Sequence, residues 1–437
     1  TGDAATDQAY TDGHVRRSDG SYVFTMGKTT ITTTDKAAVA ATSAAELDLR
    51  NNDMEVAATG SSAGILSGLS ASGASANLSL AGVHALSVTA ENSADGKAAA
   101  GILAANGGTV HIGNASGVLK LSANAKATED TAGIIAKDAS TVTIDGIVEI
   151  EADGDELEDV SQKKNKGAKQ GILLHGATVD LGGGTIKAIN GASIAQLEDA
   201  NTTLNINVKN GDAGKYKTTL IGDVVNNAAN AAVAIGLGKD STWDGNYVAK
   251  EGIEPALNVY LKDGGTWSGK STAPIELLKM SGESVWNNTG TAVVKRYAGD
   301  TANNLIDMQK TDANQPMTID HFSGKAVFTY ARDKDTPTTV LGSRLIIDQA
   351  AAGSEIVLRT DATGLDLQST AIGVQNINNM VLESLAKKLA YNGARRGEAE
   401  NLKASVEIAD GLTTSAKTLK IAPITYDPTT GEGIYHY

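Results

Sequence analysis

The sequence predicts an all-β chain, a right-handed parallel β-helix with three-strand coils stacked as a solenoid, and three observations carry that prediction. First, from residue 99 onward one pattern occurs three times, as AGILAANGGTVHIGNASGVLKLSA, AGIIAKDASTVTIDGIVEIEA and QGILLHGATVDLGGGTIKAIN, with a weaker copy, AGILSGLSASGASANLSLAGVHALSVTA, ahead of them. Each copy opens on a Gly-Ile pair, at Gly64, Gly101, Gly133 and Gly171, so the openings stand 37, 32 and 38 residues apart. Second, every copy holds three short runs of alternating apolar residues broken by Gly, Asn, Asp or Ser, which reads as strand–turn–strand–turn–strand. Third, no helix-length periodic segment lies between the runs, which excludes leucine-rich, ankyrin and paired-helix repeats.

The alternation assigns the core. Inward positions of the second run are Leu78/Leu80, Val110/Ile112, Val142/Ile144 and Val179/Leu181; those of the third are Leu86/Val88, Leu119/Leu121, Val148/Ile150 and Ile186/Ala188. The residues between them, such as Ser79, His111, Thr143, Asp180, Lys120 and Glu149, face outward. A chain of 437 residues with 48 glycines, 6 prolines and 4% aromatics suits many tight corners around a thin aliphatic core. At about 20–35 residues a coil, roughly 14–20 coils are expected, a rod of order 70–95 Å. The net charge of −14 disfavours nucleic acid and an anionic membrane surface as partners. With no cysteine there is neither a disulfide nor a thiolate metal site. The absence of a signal peptide or long apolar run predicts either a cytosolic chain or a trimmed, secreted one.

Taken in order, residues 1–36 are polar, with strands expected at 22–26 and 29–33 that begin or cap the stack. Residues 37–62 form one lean coil with Leu47/Leu49 and Met54/Val56 inward. Insertions then fall at one corner of successive coils, at 91–98, 124–131 and 153–169. The last is split by charge: Asp153, Asp155, Glu156, Glu158 and Asp159 precede Lys163, Lys164, Lys166 and Lys169. Repeat proteins gather binding residues on such an edge, so these nine are the candidate binding residues. Further on, Trp243, Trp267 and Trp286 stand 24 and 19 residues apart, close to one coil each. In register they form an aromatic ladder that packs a corner; an exposed sugar-stacking row is the alternative. A helix is predicted over 376–391, with Ile377, Val381, Leu385 and Leu389 spaced four apart and Gly393 beyond its end.

Residues 305–364 carry a family resemblance. The run Met317-Thr318-Ile319-Asp320-His321-Phe322-Ser323-Gly324-Lys325-Ala326-Val327-Phe328, then Arg344-Leu345-Ile346-Ile347, then Ala352-Gly353-Ser354-Glu355-Ile356-Val357-Leu358 resembles the C-terminal passenger region of type V autotransporters. Lys325-Ala326 stands where that pattern has its second Gly, and Arg344 where it often has Asp. The resemblance implies a passenger stack over 1–300 and autochaperone-like coils with a cap, including the helix, over 301–437. It also implies a C-terminal outer-membrane β-barrel that this sequence lacks, and which would be the chain's only membrane connection.

Catalytic signals are sparse. Gly60-Ser61-Ser62-Ala63-Gly64 matches nucleophile-elbow spacing but lacks the strand–turn–helix context that chemistry needs. The six histidines, His14, His84, His111, His175, His321 and His436, show no metal-ligand spacing. The acidic run at 153–159 matches neither the EF-hand nor the nonapeptide calcium repeat, so no cofactor or metal is expected. The resemblance thus implies a non-enzymatic adhesin on the surface of a Gram-negative-type bacterium, or secreted from it. It would mediate attachment or aggregation and biofilm formation. Its expected partner is a host-cell or matrix protein or glycan, or another copy of itself. A polysaccharide-active lyase or glycosidase and a passive spacer are the alternatives.

Overall fold

The computed structural model describes residues 14–16, 22–24, 28–113, 115–126, 130–155, 165–166, 168–361, 372–409, 419–421 and 424–435. It is a parallel β-helix: strand follows strand around the coil, and each pairs in parallel with its counterpart one coil on. Two compact units make up the chain, residues 1–236 with 242–254 and residues 237–241 with 255–437. Position 300 falls inside the second unit, where Val293–Gly299 pairs with Met317–Ser323.

In the first unit each coil has three faces. The first face is an eight-stranded sheet that includes Leu66–Ser72, Ala99–Ala105, Ala132–Lys137, Gln170–His175 and Ser193–Glu198. The second and third runs of a copy often form one bent strand, as in Asn77–Asn92, Thr141–Asp153 and Thr178–Ile189. The turn expected between them is there a bulge; the register slips between Ile144 and Ile147 as the strand changes direction. At the corner from first to second face, Asn106, Asp138 and Asp199 adopt φ of 52°, 58° and 62°. Asn and Asp tolerate that left-handed conformation best among residues with a side chain.

The columns close as the alternation requires. Leu80, Ile112, Ile144, Leu181, Ile206 and Ile235 stand in register on the second face, and all are buried. Val56, Val88, Leu121, Ile150, Ile186, Leu220 and Trp243 do the same on the third. Interior backbone groups bond to the coils on either side, and the first-face sheet ends on the strands Val39–Ala41 and Tyr247–Ala249. At the N-terminal end, His14–Arg16 and Tyr22–Phe24 form an antiparallel pair, the latter also parallel to Ala44–Gly60, while Lys28–Thr34 joins the parallel stack.

The weaker first copy is displaced from the expected alignment. Ser67 pairs with Ala100 and Leu69 with Ile102, so Gly68 rather than Gly64 is the equivalent of Gly101. The physical reason is room. A Cβ on Gly68 would lie 2.2 Å from Val88 Cγ1, and one on Gly101 2.7 Å from the Gly133 carbonyl oxygen, whereas Gly64 has nothing within 4 Å. The glycine that matters is the one pressed against the neighbouring backbone or the third face.

The second unit differs in having two strands to a coil. Leu257–Lys262, Ile275–Ser281, Val293–Gly299, Met317–Ser323 and Leu345–Ala350 stack on one face, and Thr266–Gly269, Val285–Asn288, Leu305–Asp307, Lys325–Tyr330, Ser354–Asp361 and Leu402–Ala409 on the other. The winding from Trp267 to Trp286 leaves no length for a third strand, longer windings put their extra residues into loops such as that between Tyr330 and Leu345, and larger side chains fill the section. Trp267, Trp286, Ile306, Phe328, Leu358 and Val406 form one fully buried column. The last coil is closed by Leu419–Ile421, antiparallel to Leu402–Ala409.

The helix runs Ile372–Ala386, not 376–391, and Leu389–Tyr391 is a strand paired with Leu345–Ile347. Val381, Leu382, Leu385 and Ala386 are buried, whereas Ile377 is 41% exposed. The four-residue spacing therefore crossed the helix end: Leu389 is buried as a strand residue, which the spacing alone does not distinguish from one more helical turn.

Candidate functional site

The corner between the third face of one coil and the first face of the next is where three insertions of the first unit fall. Asn92 organises the first of them. Its buried amide Nδ2 donates to the carbonyls of Ser62, Gly64 and Ala98 at 3.3, 3.0 and 2.9 Å, and its Oδ1 accepts from the N–H groups of Ser62 and Ala94. One side chain thus holds two neighbouring turns, including the Ser61-Ser62 segment that lacked an elbow context; the segment is a turn between strands. The next insertion is tied to the first. Lys126 Nζ meets Asp95 Oδ1 at 2.7 Å, and that ammonium holds the Asp95 carboxyl below the usual carboxylate range.

The third insertion contains the residues expected to bind. Asp153 is buried: its Oδ1 accepts from the Asp155 N–H and from Asn190 Nδ2 at 2.9 Å. It is an Asx turn that caps the strand, so it turns inward instead of facing a partner. Asp155 is exposed and accepts from the same Asn190 amide at 3.0 Å. Lys169 is half-buried, and its carbonyl accepts from the Ser193 N–H. Lys166 lies in the short strand Asn165–Lys166, parallel to Ala152–Asp153. Glu156, Glu158, Asp159, Lys163 and Lys164 lie outside the described residues.

The tryptophans point inward. Trp243, Trp267 and Trp286 are at most 1% exposed, and Trp243 Nε1 and Trp286 Nε1 donate to the carbonyls of Gly222 and Gly269. An open stacking platform for sugars is therefore not formed by these rings. Among the described histidines, His84 Nδ1 meets Asp53 Oδ1 at 2.6 Å and His175 Nδ1 meets Asp199 Oδ2 at 3.2 Å. No three His, Asp or Glu side chains among the described residues converge to hold a metal ion.

Two features escaped the sequence reading. One lies where the second face bends into the third. Burial, and then the neighbouring Asp145 charge, push the half-buried Asp180 carboxyl above the usual range. The Tyr216 hydroxyl donates to Asp145 Oδ1 at 3.0 Å, and Lys215 Nζ sits 4.7 Å from the Tyr216 ring centroid. Asp145 and Asp180 belong to successive coils, and Tyr216, 71 residues beyond Asp145, lies in the bend after the hairpin of Val208–Lys209 and Asp212–Ala213, so no local motif announces the group.

The other feature lies on the outside of the first face. Ile102, Ile134 and Ile172 fill the interior, so the next residue of each strand points outward. Those residues are Leu103, Ile135 and Leu173, in register with one another and bounded by Ser70 before and Gln196 after. Ile135 and Leu173 are 1% and 3% exposed, with Ile65 packed against them. The signal was present: Gly-Ile-Leu, Gly-Ile-Ile and Gly-Ile-Leu each break the alternation at the third residue.

Comparison with protein-family models, curated proteins and solved structures finds no match to this chain.

Proposed function

We propose that this chain is the exported passenger region of a type V autotransporter, acting as an adhesin at the surface of a Gram-negative-type bacterium. The observation that supports this most is the collection of insertions at one corner of successive coils, with Lys126 of one reaching Asp95 of another. A stack of this kind repeats polar loops along one edge. Many weak contacts made by many copies then give avidity without any deep pocket. The partner is a glycan or protein of a host cell or matrix, or a second copy of the chain.

The test is attachment and aggregation by cells displaying the chain, with residues 156–164 replaced by a Gly-Ser linker. Retaining Asp155 and the strand Asn165–Lys166 leaves the Asx turn and its pairing undisturbed. Lowered attachment with unchanged circular dichroism supports a role for the loop. A displayed chain that binds neither cells, matrix nor itself overturns the reading.

A polysaccharide-active enzyme is the second reading, favoured by the Asp145–Asp180 pair with Tyr216 and Lys215 beside it. A carboxyl raised above its usual range beside a second carboxyl group is an arrangement that general acid–base cleavage of a glycosidic bond can use. Cleavage of an acidic or neutral polysaccharide that disappears in both Asp145→Asn and Asp180→Asn would establish it.

A further inference from the structure

We propose that the strand Lys28–Thr34 is a docking edge for a second copy of this chain, the two strands pairing antiparallel about a two-fold axis through Ile31. The inference deepens the adhesin reading by naming the surface through which one copy binds another, and it rests on that reading for its role between cells.

Other sheet edges in the described residues are short or closed. His14–Arg16 lies antiparallel to Tyr22–Phe24, and Leu419–Ile421 closes Leu402–Ala409. The first-face sheet ends on strands of 3 residues, Val39–Ala41 and Tyr247–Ala249. Lys28–Thr34 differs: it has 7 residues, pairs with Ala44–Gly60 on one side, and has no described strand on the other.

Backbone direction leaves that edge ready to pair. The Asp35 N–H donates to the Thr59 carbonyl at 2.8 Å, so the alternate residues before it, Thr33, Ile31 and Thr29, also turn their backbone groups toward Ala44–Gly60. Thr30, Thr32 and Thr34 turn theirs to the open side, where their N–H groups meet no acceptor among the described residues. The devices that blunt an exposed edge are missing. The strand holds neither Pro nor a bulge, and Lys28 is drawn back to Glu55 of its own stack at 2.6 Å. Every residue after Lys28 is Thr or Ile, the β-branched types that strands favour.

The strand is its own complement, which selects the occupant. About an axis through Ile31, Thr30 of one copy stands opposite Thr32 of the other, the pairing in which each residue donates and accepts one backbone bond. Ile31 meets its equivalent and Thr29 meets Thr33; all three are buried on the interior side, so the cores of the two copies run together. Lys28 stands opposite Thr34, so no like charges face each other. A foreign strand offers the same backbone bonds without an Ile matched at the axis. Because the pairing consumes the edge of both copies, assembly stops at a dimer.

The test is sedimentation velocity of the full chain over a concentration series, with amide hydrogen exchange measured at both ends of it. A reversible monomer–dimer equilibrium is expected, with the Thr30, Thr32 and Thr34 amides exchanging at least about ten-fold more slowly in the dimer. Thr32→Pro removes an N–H that the stack itself does not use, and should raise the dimer Kd at least about ten-fold with circular dichroism unchanged. Should that variant lose its circular dichroism, exchange at the three amides decides alone. Thr185→Ala, on the outside of the same face further along the stack, should leave the Kd unchanged. A chain that stays monomeric to millimolar concentration overturns the proposal. So do slow exchange of the three amides in the monomer, a folded Thr32→Pro variant that dimerises as before, and open-ended filaments in place of dimers. None of these outcomes removes the adhesin reading, which fails only when the displayed chain binds neither cells, matrix nor itself.

Discussion

The indole rings of Trp267 and Trp286 lie stacked in adjacent coils, their centroids 5.1 Å apart and their planes 7° from parallel. Each is fully buried, and the column continues through Ile306 and Phe328. Contact at about the spacing of neighbouring strands makes the two rings one unit of the core of the second unit.

Truncating either ring should therefore be costly. Trp286→Ala removes the stack and the Nε1 bond to Gly269, and should lose about 3–5 kcal/mol by urea unfolding. Trp286→Phe keeps much of the stack and should lose less. A midpoint within error of wild type for the alanine variant would contradict the column.

The glycines give a contrast that alignment by eye would miss. Gly101→Ala places a methyl 2.7 Å from the Gly133 carbonyl oxygen and should destabilise by about 1–3 kcal/mol. Gly64→Ala meets open space and should fall within about 0.5 kcal/mol of wild type. Equal effects at the two positions would restore Gly64 as the repeat's first residue.

Asn92→Ala should loosen the two turns it joins. The carbonyls of Ser62 and Gly64 and the N–H groups of Ser62 and Ala94 lose the Asn92 bond, and the Ala98 carbonyl keeps only the Leu66 N–H, at a cost on the order of 3 kcal/mol. Hydrogen exchange at the Ser62 and Ala94 amides should accelerate well ahead of exchange in the strands around them. Exchange unchanged at both amides would remove Asn92 from that role.

Asp180 gives a pH signature of known sign. Its folded-state carboxyl binds a proton more tightly than in the unfolded chain, so its contribution favours the fold at low pH and is lost as pH rises through the raised value. At pH 7 the ionised group opposes folding, and Asp180→Asn should stabilise the chain. The gain is roughly 0.5 kcal/mol, since the half-exposed setting screens the repulsion. It should vanish below about pH 3, where the carboxyl is protonated in both states. A variant less stable than wild type at neutral pH would refute the assignment.

How much was legible in the sequence follows from which interactions are periodic. Val110, Ile112, Val142 and Ile144 announced themselves because stacking in register forces the same residue type at the same point of each copy. The helix was visible as an amphipathic pattern, but its end was not, because Leu389 is buried equally well as a strand residue. Gly68 was hidden since the space around a glycine depends on Val88, a residue of another face. The same holds for the carboxyl pair, where Tyr216 reaches across to Asp145 from a bend 71 residues further along the chain. Asp153 reads as one more acid in a charged run, and only its bonds to Asp155 and Asn190 reveal a buried cap. Local alternation determines the faces; contacts between coils determine the exceptions.

The register of Thr109 carries a genetic corollary. Thr109 pairs with Asn77 on one side and with Thr141 on the other, so residues 109–140 begin and end at equivalent points of the winding. Excising them joins Gly108 to Thr141, sets Val142 against Leu78 and Ile144 against Leu80, and leaves both neighbours matched. Unequal recombination between adjacent copies of the underlying DNA would therefore shorten or lengthen the protein by whole windings. Allelic variants of different length, each still able to fold, are the inheritance such a construction permits.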